Sequence, residues 1–110
     1  MEALWNKFSG FVNGLFDARE LSRYMKAASV AKNAVDNELI RRRIKFTSHV
    51  ADDSEPGWVK VDVRVIVDLP DYSDVLRLWE SLSEIAYPNL KESDRKGVFL
   101  SVDNRSKQHG

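Results

Sequence analysis

Residues 58–69 read WVKVDVRVIVDL. Val59, Val61, Val63, Val65, Val67 and Leu69 occupy the odd positions. Lys60, Asp62, Arg64 and Asp68 occupy even ones, and between Lys60 and Asp68 only Ile66 breaks the polar series. Period-two alternation of this length, built on β-branched residues, predicts a long strand with one buried face. Each buried valine stabilises by roughly 1.5–3 kcal/mol before chain entropy is set against it. The pattern predicts that Val61, Val63, Val65 and Val67 are buried, and that Lys60, Asp62 and Arg64 are substantially more exposed. The rest of the chain has to cover the valine face.

Working back from this strand, the loop ADDSEPG (51–57) carries turn chemistry, with Pro56 and Gly57 side by side. Before it, 40–50 alternates again. Ile40, Ile44, Phe46 and Val50 fall on one parity with Arg42 and Ser48; Arg41, Arg43, Lys45, Thr47 and His49 fall on the other. The expectation is a second strand over Ile40–Val50, paired with the first as an antiparallel hairpin. Forward from it, Pro70 ends the strand and Asp71 or Ser73 starts a helix. That helix carries Val75, Leu76, Leu78, Trp79, Leu82, Ile85 and Ala86 on one broad face and stops at Pro88. Residues 89–96 read as a polar loop. Gly97–Asp103 reads as a third strand, with Val98, Leu100 and Val102 on one side and Phe99 and Ser101 on the other.

The N-terminal third is helical in pattern. Leu4, Trp5, Phe8, Phe11, Val12, Leu15 and Phe16 fall within one arc of about 140° on a helical wheel. Gly10 and Gly14 weaken this helix by roughly 2 kcal/mol relative to alanine, so it needs a surface to lie on. Asp17 with Glu20 resembles a capping box and predicts a fresh start, giving a second helix over 18–37. Leu21, Tyr24, Met25, Ala28, Ala31, Val35 and Leu39 form its seam, and Arg19, Arg23 and Lys26 a basic stripe on its far side. The expected architecture is one α+β domain over 1–104, in the order α-α-β-β-α-β. It is an antiparallel hairpin plus a third strand with helices packed on the sheet, followed by a mobile tail over 105–110. The α-β-β-α-β part of this order is similar to that of cytoplasmic domains of cation-diffusion transporters and of KH-like modules. The Gly-x-x-Gly loop of the latter and the His-rich ligands of the former are absent, so the likeness extends to fold order only.

Composition narrows the function classes. The chain has 110 residues, 43% apolar and 31% charged, which suits one soluble domain with one core. Its formal net charge is zero, so no global field draws it to nucleic acid or anionic lipid. It has no cysteine, which removes disulfides, thiolate catalysis and thiolate zinc sites and fits a reducing, cytoplasmic setting. No run is long and apolar enough to span a membrane, and residues 1–16 lack the basic and apolar regions of a secretory leader. Charge is nevertheless uneven. Residues 17–49 hold eight Lys/Arg and four Asp/Glu (+4), 51–94 hold four and eleven (−7), and 95–110 hold four and one (+3).

No catalytic, metal or cofactor signature stands out. Asp68, Asp71 and Asp74 crowd the strand-to-helix corner, where a cation or a general base is conceivable, yet Asp is common at strand ends, turns and helix starts alike. Asp52, Asp53 and Glu55 lack EF-hand spacing. His49 has no second fixed histidine to act with. Arg41, Arg43 and Lys45, with Arg19, Arg23 and Lys26, could contact phosphates. Phe46 and Tyr24 fall on buried parities, however, so that surface lacks aromatics for base stacking. The leading expectation is a non-enzymatic interaction or scaffolding module that self-associates, through Trp5, Phe8, Phe11, Val12 and Phe16 of the N-terminal helix or through a sheet edge. Its partner would be a second copy or another protein, with peripheral lipid contact disfavoured by the lack of basic residues opposite the aromatic arc. The alternatives are a nucleic-acid-binding domain using the basic surface, and a small-ligand or metal-dependent enzyme at the Asp68–Asp74 corner.

Overall fold

The computed structural model describes the backbone of residues 2–105 and the side chains of residues 18–105. A long helix α1 (Glu2–Arg41) leads into strands β1 (Phe46–Asp52) and β2 (Val61–Val67). Helix α2 (Tyr72–Ala86), a 3-10 turn (Tyr87–Asn89) and a one-turn helix α3 (Glu92–Arg95) then return the chain to strand β3 (Val98–Asn104). The sheet order is β1-β2-β3, with β1 antiparallel and β3 parallel to the central β2. The expected α+β order stands, with its first two helices joined end to end. Asp17 and Glu20 do not open a new helix, because nothing between Gly10 and Glu20 forbids continuation: there is no proline, and each glycine costs only about 1 kcal/mol.

The valine face is the core. Val61, Val63, Val65 and Val67 are 0–1% exposed and cluster with Tyr24, Ala28, Ala31, Val35 and Leu39 of α1 and with Val75, Leu78, Leu82 and Ala86 of α2. Alanines on α1 allow that helix to lie close to both the strands and α2. Tyr24 packs its ring directly over Gly97, where a β-carbon would come within 2.2 Å of the ring. Polar contacts pin the elements. Ser48 Oγ on β1 donates to Asp36 Oδ1 of α1 at 2.6 Å, and Trp79 Nε1 of α2 donates to the Leu100 carbonyl of β3 at 2.9 Å. The buried Asn104 side chain donates to the Leu69 carbonyl at 2.7 Å and accepts from the Leu69 N–H at 3.1 Å, which prolongs the β2–β3 ladder by one side-chain pair.

The strand expected over Ile40–Val50 begins instead at Phe46, because α1 runs on to Arg41 and Ile40 is 64% exposed on it. The helix closes in a Schellman arrangement. Ile44 N–H bonds the Leu39 carbonyl at 3.1 Å, Arg43 N–H bonds the Ile40 carbonyl at 3.0 Å, and Arg43 takes the left-handed conformation at φ 58°. Glycine is the usual occupant of that position, so the stop carried no signal in the sequence. Past it, the parity is as expected: Phe46, Ser48 and Val50 are half-buried, Thr47 and His49 exposed. Asp62 departs from expectation. It is 9% exposed, because Ser101 of β3 and Arg64 close over it. The expected tail falls, from residue 106 on, outside the described residues. Among the described residues no helix is long and apolar enough to cross a membrane.

Candidate functional site

The helices lie on the valine face, so the opposite face of the sheet has no helix over it among the described residues. Parity and register decide what that face carries. β1 contributes Thr47, His49 and Ala51, β2 contributes Asp62, Arg64 and Ile66, and β3 contributes Phe99, Ser101 and Asp103. Asp62 stands beside Phe99, and Arg64 beside Ser101. The hairpin turn adds Trp58. Glu55 and Trp58 exchange two backbone hydrogen bonds of 2.9 Å around Pro56 and Gly57. Gly57 has φ 80°, the conformation that the second central residue of a type II turn requires. This tight turn folds the indole back toward β3. The Trp58 and Phe99 rings meet edge to face, with centroids 5.9 Å apart and planes at 82°.

The two rings form the mouth of a cleft of about 220 Å³, also lined by Asp53, Lys60, Asp62, Leu100 and Ser101. Lys60 Nζ rests over the Trp58 ring, 4.5 Å from its centroid, and donates to Glu55 Oε1 at 3.2 Å. The Arg64 guanidinium spans two carboxylates, donating through Nε to Asp62 Oδ2 at 3.2 Å and through Nη2 to Asp53. That pairing, with Asp53 first, raises the Arg64 guanidinium further above its ordinary value. Ser101 Oγ donates to Asp62 Oδ2 at 2.8 Å, while Asp62 Oδ1 is buried without a hydrogen-bond partner. In the adjoining loop, the Ser54 hydroxyl and backbone N–H hold the Asp52 carboxyl below its ordinary value. Asp53 and Asp62 thus line the cleft against Lys60, whereas Asp52, paired with Val61, lies on the helix-facing parity.

The residues singled out in the sequence fall elsewhere. Trp5, Phe8, Phe11, Val12 and Phe16 belong to α1, and their side chains lie outside the described residues. Arg19, Arg23 and Lys26 are exposed; Arg23 pairs with Asp94 at 3.0 Å and lies 5.0 Å from the Tyr24 ring centroid. Arg41, Arg43 and Lys45 are exposed at the far end of the helix. Fifteen residues separate Lys26 from Arg41, about 22 Å along the axis, so the structure forms two basic groups rather than one. At the second, Arg41 and Arg42 grip Glu38 and draw its carboxyl down to about 2. Tyr24 is buried and Phe46 half-buried, as their parities required. At the corner, Asp68 and Asp71 are exposed, Asp74 is half-buried, and Asp71 makes no capping bond. Among the described residues no three His, Asp or Glu side chains gather as a metal site would need.

The Trp58–Phe99 cleft was missed in the sequence. The available signal was an aromatic on the polar parity of each of two strands. Joining them needed the β2–β3 register, which a crossover through α2 leaves open. No family model, no curated protein and no solved structure matches this chain.

Proposed function

We propose that this chain is a non-enzymatic interaction module that self-associates through the N-terminal part of α1. The observation that carries the reading is a mismatch of lengths. The 40 residues of α1 extend about 60 Å, whereas the seven-residue strands it packs on extend about 23 Å. The buried positions described on α1 run from Tyr24 to Leu39 and already fill the helix-facing side of the sheet together with α2. The apolar arc of Trp5, Phe8, Phe11, Val12 and Phe16 belongs to the length in excess of that cover. Aromatic surface of this extent is costly in water, at 150 Å² or more per ring as an order of magnitude, and pairing two copies of one arc buries it symmetrically. The absence of cysteine fits a cytoplasmic setting for such a module.

The test is the molar mass in solution of the full chain and of its Phe8→Glu/Phe11→Glu double variant, by light scattering, with circular dichroism as the check on folding. The expected outcome is an oligomer that the double variant turns into a folded monomer. A native chain that is monomeric at every concentration defeats the reading.

A further inference from the structure

We infer that the cleft between Trp58, Phe99, Asp53 and Asp62 is a binding site for a guanidinium group presented by a basic segment of a partner polypeptide. This inference does not depend on how α1 associates. Three observations converge on a cation. Lys60 Nζ already occupies the space over the Trp58 ring, showing that the indole is placed to receive positive charge. Asp62 is nine-tenths buried in the wall of the cleft, and its Oδ1 lacks any donor. A buried acceptor left unpaired is costly, and a ligand donor reaching the Asp53–Asp62 pair relieves that cost. Finally, the lining of the cleft carries two carboxylates, Asp53 and Asp62, against one ammonium, Lys60.

Guanidinium is favoured over ammonium by the geometry of the pair. Asp53 and Asp62 are already bridged by a guanidinium, that of the half-exposed Arg64, so their spacing suits a planar fork with several donors. A guanidinium plane also stacks on indole and phenyl faces. The volume of about 220 Å³ lies below the roughly 300–1,000 Å³ typical of pockets for whole small molecules and suits the head of one side chain. A polypeptide is favoured as the carrier because the cleft opens on an uncovered sheet face, where flanking residues of a bound chain can lie along the strands. Lys60 then acts as an internal competitor that covers the ring until the ligand displaces it.

The probe is the tripeptide acetyl-Gly-Arg-Gly-amide, added to the full chain while the Trp58 indole N–H resonance is followed by NMR. The same peptide with neutral citrulline in place of arginine is the control, and free arginine distinguishes a small-molecule ligand. The expected result is a saturable shift with the arginine peptide and none with citrulline. Asp62→Asn weakens binding by about tenfold or more, in line with loss of a charge-assisted bond. Asp53→Asn, in the exposed loop, weakens it as well and serves if Asp62→Asn fails to fold. Lys60→Met tightens binding several-fold, which a purely structural role for the cleft does not predict. Equal shifts with citrulline, or no saturable shift in either the native chain or Lys60→Met, overturn the proposal. Binding of free arginine as tight as the peptide overturns the polypeptide carrier. A Trp58 shift that follows protein concentration alone names a second copy as the occupant and overturns the separate partner.

Discussion

The two faces of strand β2 are made by the same seven residues and do opposite things. On one, Val61, Val63, Val65 and Val67 are sealed beneath α1 and α2. On the other, Asp62, Arg64 and Ile66 lie under no helix among the described residues, yet Asp62 is almost as buried as the valines. Burial on the first face comes from apolar packing by whole helices. Burial at Asp62 comes from neighbouring side chains, Ser101 and Arg64, that close over a carboxylate. The first face is therefore a packed apolar layer, whereas the second is a small polar assembly with an unpaired acceptor. Polar parity in an alternating strand therefore marks the side without helices, which is not the same as the side in water.

The sharpest contrast is expected at the covered face. Gly97→Ala should cost up to about 3 kcal/mol, because the added methyl meets the buried Tyr24 ring and overpacks the α1–β3 contact. Urea denaturation measures it, and a change below about 0.5 kcal/mol would mean that α1 can lift from β3 freely. Next comes a paired comparison across β2. Val63→Ala should cost on the order of 2 kcal/mol, and Lys60→Ala, on the other parity, should stay within about 0.5 kcal/mol. Similar losses from both would erase the distinction between the faces.

The smallest effect belongs to neither face, at the end of α1. Glu38 is held at about 2 by hydrogen bonds first from Arg41 and then from Arg42, against an ordinary value of 4.5. A lowered carboxylate stabilises the folded state above its ordinary value and loses that contribution as pH falls toward 2. The stability difference between the native chain and Glu38→Gln should thus be present at neutral pH and shrink through this acid window. Because Arg41 of the pair is solvent-exposed, the difference should also shrink in high salt.

The legible parts of the fold were those with sustained period. β2 was visible through its valines, α2 through Val75, Leu78, Leu82 and Ala86, and the hairpin through Pro56-Gly57. The illegible parts depended on termini. The end of α1 rests on Arg43 in a left-handed conformation, where the sequence offers no glycine, so the alternation of a strand extends over what is helix at Ile40 and Arg41. Conversely, Asp17 and Glu20 carry the composition of a cap in the middle of a helix. The cleft was illegible for a third reason. Asp62, Ser101 and Phe99 are neighbours only through the parallel register, and Trp58 joins them only through the turn. Each residue taken alone reads in the sequence as an ordinary polar-face or turn residue.

That parallel register also orders events in time. The β1–β2 pairing closes first at Asp52 and Val61, nine residues apart, whereas the first β2–β3 partners, Val61 and Val98, are 37 apart. By the logarithmic dependence of loop closure on length, the second pairing costs about 1.3 kcal/mol more in chain entropy than the first. No disulfide offsets it. The hairpin can therefore form as a local nucleus, while β3 has to wait for α2 to carry it back across the valines. Until it arrives, one edge of β2 is unpaired and Asp62 is open to water. The aromatic cleft is thus among the last features of the molecule to come into existence, and among the first to be lost when β3 detaches.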